Sequence, residues 1–138
     1  MALGKSLSAV SVDEAWSDLC HHLDWTQGKG TLVITTESRA QAESLRERSA
    51  LWAQRINEPW MRAPADDSTA PWLRRHLPQP GILWVELWDD AARLAALHVL
   101  NEVRIRFARP GGGCLVLCGP VRLLEESARE AADLWSIR

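Results

Sequence analysis

Three carboxylates lie in or just after a central apolar strand, in the positions where a nucleotide hydrolase holds magnesium and activates water. They are Glu86, Asp89 and Asp90. Parallel sheets bind ligands at the carboxyl ends of their strands, so this placement could serve chemistry. In a second interpretation Asp89 caps the next helix, Asp90 is a first-turn acid, and Glu86 is either paired or at a solvated strand edge. We favour the second interpretation, because no phosphate-binding loop brings a nucleotide to these acids.

The tetrapeptide Gly28–Thr31 is similar to a fragment of a phosphate-binding loop. Such a loop must follow the first strand and open a helix, so that backbone N–H groups and the helix dipole converge on the phosphate. Here the glycines precede the predicted strand. The position that should carry the loop, residues 35–39, reads Thr-Thr-Glu-Ser-Arg, and Glu37 would repel a phosphate. The glycines therefore predict a turn.

The histidines and cysteines show no metal-binding or nucleophilic pattern. No combination of His, Cys, Asp and Glu has metal-ligand spacing, and no nucleophile elbow is present. Cys114 and Cys118 lie four apart on one predicted strand, about 13 Å along it, which excludes a disulfide or a shared metal within that strand. They are interpreted as small buried hydrophobes in a reducing compartment. We expect no catalytic residues, no metal and no cofactor.

The elements that would position these residues alternate between strand and helix. Strands are predicted at residues 31–35, 59–64, 82–88 and 114–118. Helices are predicted at residues 12–24, 39–56, 69–77, 90–108 and 121–134, and Ser38 is predicted to cap the second of them. The nearly unbroken apolar runs are typical of strands covered on both faces. With right-handed crossovers, this order predicts a three-layer α/β sandwich with a mainly parallel sheet of four to five strands and helices on both faces. A fifth strand is predicted to begin at residue 136.

Length and charge exclude several classes of protein. The 138 residues are predicted to form a single α/β domain, with residues 1–10 as a flexible N-terminus. Sixteen basic and eighteen acidic side chains give a net charge of −2, which provides no electrostatic footprint for nucleic acid or an anionic membrane. No apolar stretch approaches the roughly 20 residues that span a bilayer, and no secretory signal is present. A cytoplasmic location is expected, without nucleic-acid or membrane partners.

The aromatic residues are unusual: eight tryptophans, one phenylalanine and no tyrosine. Five tryptophans fall where a core face is expected: Trp16, Trp52, Trp72, Trp84 and Trp135. Trp25, Trp60 and Trp88 lie near element ends, where they would form an exposed patch instead. An exposed aromatic patch on a small domain indicates a partner surface, so these three are the candidate partner-binding residues. Core packing remains the alternative for each of them.

Three further residues are interpreted as structural clamps. Asn101 lies with His98 on an apolar face of the long helix, where a buried amide needs a hydrogen-bond partner. Arg104 favours the carboxyl end of that helix through the dipole. Trp135 belongs to the expected core.

Three segments carry a resemblance to a known family. They are residues 100–104 (Leu-Asn-Glu-Val-Arg), 114–120 (Cys-Leu-Val-Leu-Cys-Gly-Pro) and 129–138 (Arg-Glu-Ala-Ala-Asp-Leu-Trp-Ser-Ile-Arg). They are similar to the N-terminal α/β domains of bacterial multidomain proteins, which look like degenerate relatives of the STAND-type P-loop ATPase core. Ala132 stands where that pattern usually has proline. The resemblance implies an adaptor or sensory module of a bacterial signalling or antiviral defence system.

The leading hypothesis is therefore a non-catalytic interaction domain that recognises a protein partner or itself. The alternative is a nucleotide-binding or weakly hydrolytic P-loop-like domain that uses Asp89 and Asp90. A third hypothesis is a purely structural domain that positions neighbouring modules.

Overall fold

The strands form one parallel sheet. The computed structural model describes residues 2–6, 16–17, 19–21, 30–77, 79–103 and 113–131. Its strands are β1 (Ala2–Ser6), β2 (Gly30–Thr35), β3 (Trp60–Arg62), β4 (Ile82–Glu86) and β5 (Cys114–Gly119). Every pairing between them is parallel, and their order in the sheet is β1-β2-β5-β4-β3.

The helices follow the predicted alternation. A helical segment, α1, is described at residues 16–17 and 19–21. The others are α2 (Arg39–Arg55), α3 (Thr69–His76), α4 (Asp90–Glu102) and α5 (Arg122–Glu130). The expected caps of α2 and α4 are confirmed, because Gln41 N donates to Ser38 Oγ and Ala92 N donates to Asp89 Oδ2. The long helix was expected to reach residue 108, but α4 ends at Glu102; residues 104–108 lie outside the described part.

The sheet is covered on both faces, which confirms the predicted α/β sandwich. Successive side chains of a strand point to opposite faces. On the α1–α2 face, the strand residues Ile34, Trp84 and Val116 pack with the helix residues Leu19, Ala42 and Leu45. On the α3–α5 face, the strand residues Val33, Val85 and Leu117 pack with the helix residues Leu73, Leu97 and Leu123. Burial of every residue in β4 and β5 is what a doubly covered parallel sheet requires.

The N-terminus differs from the expectation. Residues 1–10 were expected to be a flexible terminus, whereas Ala2–Ser6 form β1 and pair in register with residues 31–35 of β2. The sequence Ala-Leu-Gly-Lys-Ser has no run of β-branched or aromatic residues, so no local pattern predicts a strand there. β1 forms because backbone groups at the open edge of β2 pair with those of residues 2–6. The fifth strand placed at residue 136 lies outside the described residues.

The strand order creates a switch point in the sheet. The chain leaves β2, crosses to β3 at the far edge, and returns through β4 to β5, beside β2. The helices that follow β2 and β5 pack on opposite faces, because α2 contributes Leu45 to one core layer and α5 contributes Leu123 to the other. Open α/β sheets bind ligands where the connections that leave two neighbouring strands run to opposite faces in this way. Any site related to nucleotide hydrolases should lie at this carboxyl edge.

Candidate functional site at the carboxyl edge of the sheet

The turn between β2 and α2 is closed by its own hydrogen bonds. Thr36 N donates to Gly119 O at 3.0 Å, and Thr36 Oγ1 donates to Ser38 O at 2.9 Å. Glu37 N donates to Gln41 Oε1 at 3.0 Å, and Gln41 N donates to Ser38 Oγ at 3.3 Å. A phosphate-binding loop presents such amides to its ligand. In this turn the backbone amides of Thr36, Glu37 and Gln41 already donate hydrogen bonds within the protein.

Glu86, at the end of β4, is a buried and paired carboxylate. The Glu86 residue is 8% exposed. Arg46 of α2 donates a hydrogen bond to Glu86 Oε2, and Arg62 Nη2 of β3 lies 3.3 Å from the same oxygen. The indole N–H of Trp84 donates to Oε2 at 3.2 Å, and that of Trp88 donates to Oε1 at 3.1 Å. The prediction that Glu86 is paired is confirmed, and the alternative prediction that it lies at a solvated strand edge is wrong.

The surroundings of Glu86 keep it ionised. Burial raises the pKa of this carboxyl, but hydrogen bonds from Arg46 and Trp88, with the charges of Arg46 and Arg62, outweigh burial and hold the pKa below 4.5. A general base works best with a pKa near the operating pH. The arrangement therefore suits an ion-pair network that joins α2, β3 and β4 better than it suits proton transfer.

Asp89 and Asp90 are also bonded within the protein. Asp89 caps α4, as described above. Asp90 Oδ1 accepts a hydrogen bond of 2.7 Å from Arg93 Nη2, and this bond together with the charge of Arg93 lowers the pKa of Asp90. Both positions match the interpretation in which these acids stabilise the start of a helix.

Sequence reasoning missed the buried pair between α4 and α5. Arg93 is 1% exposed, and its Nε and Nη2 atoms donate to Glu126 at 2.5 Å and 3.2 Å. The available signal was position: Arg93 shares the stripe i, i+3, i+4, i+7 with Ala96, Leu97 and Leu100, which are buried. A charge on an apolar stripe requires a partner, and Glu126 provides it.

Cys114 and Cys118 are buried free thiols on β5, which confirms their interpretation as core hydrophobes. Burial raises the pKa of Cys114 to about 12. Burial and the negative charge of Glu86 also raise the pKa of Cys118. Because the thiolate is the reactive form, both residues should be inert in the folded protein.

Thiol labelling tests this expectation. In a Cys20→Ser variant, which leaves the two buried thiols, Ellman's reagent should react only after unfolding in guanidinium chloride. The half-buried Cys20 is removed so that its own reaction does not obscure the result. Rapid reaction of either thiol with the reagent in the folded variant would contradict the burial of β5.

Trp60 and Trp88 do not form one exposed patch. Trp60 is the partner of Ile82 at the start of β4, whereas Trp88 follows the end of that strand. Trp88 follows Ile82 by six positions, which at the rise of an extended chain is about 20 Å. Both side chains are half-buried and pack on the α1–α2 core layer. The indole N–H of Trp60 donates to Ser49 Oγ at 3.0 Å.

The remaining candidates have mixed outcomes. Trp25, Arg104 and Trp135 lie outside the described residues. Asn101 is half-buried in the last turn of α4 and has interaction partners. The binding roles of Trp60 and Trp88 stay predictions, and so does the clamp role of Asn101.

A groove with a volume of about 600 Å³ lies between α3 and α4, away from the carboxyl-edge acids. Its apolar residues are Ala70, Pro71, Ala95 and Val99, and its charged or titratable residues are Arg74, Arg75, His98 and Glu102. No local pattern in the sequence indicates this surface, because it forms where two helices separated by β4 pack together.

No protein-family model, no curated protein and no solved structure matches the chain. Within the described ranges, no group of three or more His, Cys, Asp or Glu residues could hold a metal ion. In the same part of the chain, no helix has the length and apolarity needed to cross a bilayer.

Proposed function

We propose that this protein is a non-catalytic protein-interaction domain, an adaptor of a bacterial signalling or defence system. The observation that carries the proposal is the internal pairing at the carboxyl edge. Glu86 is held by Arg46 and Arg62, and Asp89 caps α4. An enzyme of this fold directs such groups at its substrate, whereas these groups bond to neighbouring elements. The bacterial setting rests on the sequence resemblance alone.

The surface supports binding of a protein. Three large apolar side chains are exposed on α2, just after it, or on β3: Leu51 at 56%, Ile56 at 46% and Met61 at 43%. β3 is the last strand at its edge of the described sheet. An edge strand offers unpaired backbone groups to another chain, which makes a second copy or a partner strand possible occupants.

Thermal unfolding with nucleotides tests the proposal against the nucleotide-binding alternative. A nucleotide with a Kd of about 10 μM, added at about 1 mM, would stabilise the domain by about 2.7 kcal/mol. For 138 residues that corresponds to a rise in Tm of roughly 9 °C. We expect Mg²⁺ with ATP or GTP to move the Tm by less than about 1 °C, well below that ligand response.

Asp89→Asn is the matched variant for this test. Asparagine caps a helix about as well as aspartate but carries no charge for a metal. We therefore expect the variant and the wild type to have the same Tm with and without Mg²⁺–ATP. A nucleotide-dependent rise in Tm that Asp89→Asn abolishes would support the alternative and contradict the proposal.

Binding itself is measured in two ways. Size-exclusion chromatography with light scattering tests self-association, and affinity capture from the native host followed by reconstitution with the purified partner tests hetero-association. A chain that stays monomeric and forms no reconstituted complex would count against the interaction domain.

A further inference from the structure

The groove between α3 and α4 has the dimensions of a docking site for a helix. The lining residues of α4 run from Ala95 to Glu102, so the groove is about 10 Å long, which corresponds to two helical turns of a ligand. Its volume of about 600 Å³ is open to solvent along the line where α3 and α4 meet. Two packed helices present a furrow into which the side-chain ridge of a third helix can fit.

Small side chains line the apolar part of the groove. Ala70 and Pro71 come from the first turn of α3, and Ala95 comes from α4. Such residues allow another backbone to approach closely. Leu94, one turn before the groove residue His98 on the same face of α4, is 39% exposed and adds apolar surface at the margin of the groove. A ligand helix with leucine or isoleucine on one side would bury this surface.

The charged part of the groove is predominantly basic. The last turn of α3 carries Arg74, Arg75 and His76, whereas the two acids Asp66 and Asp67 precede the helix at its other end. Among the described residues, Arg75 has no ion pair or hydrogen bond. Among the described residues that line the groove, the acid is Glu102, which lies 2.9 Å from Arg74. Both side chains of that pair are more than half exposed, so the pair contributes at most about 1 kcal/mol and can exchange partners.

The acid nearest to His98 is ionised, and its charge is offset by the charge of Arg129. Glu130 of α5 lies 2.9 Å from His98 Nε2 and 3.0 Å from Arg129 Nε. Hydrogen bonds from these two residues lower the pKa of Glu130 and occupy its carboxylate. Arg75 is therefore the charge in the groove lining that has no partner among the described residues, in a chain whose net charge is −2.

We infer that this groove binds a short acidic amphipathic helix of a partner protein. Apolar residues of the ligand, spaced i, i+3, i+4, lie on Ala70, Ala95 and Leu94, and its carboxylates pair with Arg74 and Arg75. The inference rests on the proposed function and specifies the partner's chemistry. A nucleic acid is the less suitable polyanion, because a single pair of arginines in a chain of net negative charge provides few phosphate contacts.

Selection from a phage-displayed library of random 12-residue peptides, followed by anisotropy with the selected peptide labelled with fluorescein, tests the inference. We expect the selected peptides to be rich in Asp, Glu, Leu and Ile. Arg75→Glu should weaken binding by about tenfold or more, the loss of one charge-assisted contact. The control is Arg55→Glu, because Arg55 is also an exposed arginine in the last turn of a helix.

A second pair of variants tests the apolar part of the groove. Ala95→Trp fills the groove and should also weaken binding by about tenfold or more, whereas Ala40→Trp, at an exposed position of α2 on the opposite face of the sheet, should change affinity by less than about twofold. Circular dichroism confirms that each variant is folded. A labelled single-stranded RNA of 12 nucleotides should show no binding.

The outcomes separate this inference from the proposed function. Peptides that bind equally well to Arg75→Glu and Arg55→Glu would overturn the groove assignment and leave an interaction domain with another docking surface. Failure to select any peptide, or tighter binding of RNA than of peptide, would also overturn the inference. The proposed function would then depend on the light-scattering and reconstitution results.

Discussion

Replacement of Arg93 by methionine should lower the free energy of unfolding by about 3 kcal/mol, the cost of breaking a buried ion pair. Arg93 is 1% exposed and donates hydrogen bonds to Glu126 and Asp90. Methionine keeps much of the volume but leaves the Glu126 carboxylate, 18% exposed, without its guanidinium. Urea unfolding at pH 7, followed by tryptophan fluorescence, measures the loss. The contact between α4 and α5 should loosen before the sheet does.

Two comparisons make this result specific. Arg129→Met removes an arginine whose side chain is 60% exposed and whose partner is the adjacent Glu130, so the unfolding midpoint should not change. The double variant Arg93→Met/Glu126→Met should recover part of the loss, because no unpaired charge remains. Equal midpoints for Arg93→Met and Arg129→Met would show that the Arg93 pair does not stabilise the fold.

Replacement of Glu86 by glutamine should cost about 2 kcal/mol at pH 7, because hydrogen bonds to a charged group are stronger than those to an amide. The variant should also be less sensitive to acid. The pKa of Glu86 in the folded protein is lower than 4.5, its value in the unfolded chain. Its stabilisation is therefore complete above pH 4.5 and is lost as the pH falls through the lower, folded-state pKa.

The measurement is the free energy of unfolding between pH 7 and pH 3. The wild type and Glu86→Gln should differ at neutral pH and converge in acid, because protonation removes from the wild type the charge that the variant lacks. Glu47→Gln, at an exposed position of α2, is the control and should follow the wild-type curve. Parallel curves for the wild type and Glu86→Gln would contradict the ion-pair network.

Both networks bear on function because of where they lie. Glu86 connects β4 with α2 and β3, and Arg93 connects α4 with α5 near the same edge. In open α/β sheets this edge is where ligands bind. Here polar groups at that edge stabilise the contacts between elements, which is why the proposed binding site lies on the helices instead.

Local pattern predicted much of this architecture. The apolar runs of β4 and β5 identify strands buried on both faces, and Ser38 and Asp89 identify helix starts through side-chain hydrogen bonds within three residues. The sequence between β2 and α2 also lacks the glycines and the lysine that define a phosphate-binding loop by their fixed positions. In each case the deciding interaction is between residues close in the chain.

Tertiary structure decided what depends on distant residues. β1 exists because β2 has an open edge, and Glu86 is paired because α2 brings Arg46 to it from 40 positions away. Trp60 and Trp88 are separated because they lie at opposite ends of the sheet. The groove requires the packing of α3 against α4. Composition and periodicity report which face of an element is buried, but packing alone determines which side chains meet across elements.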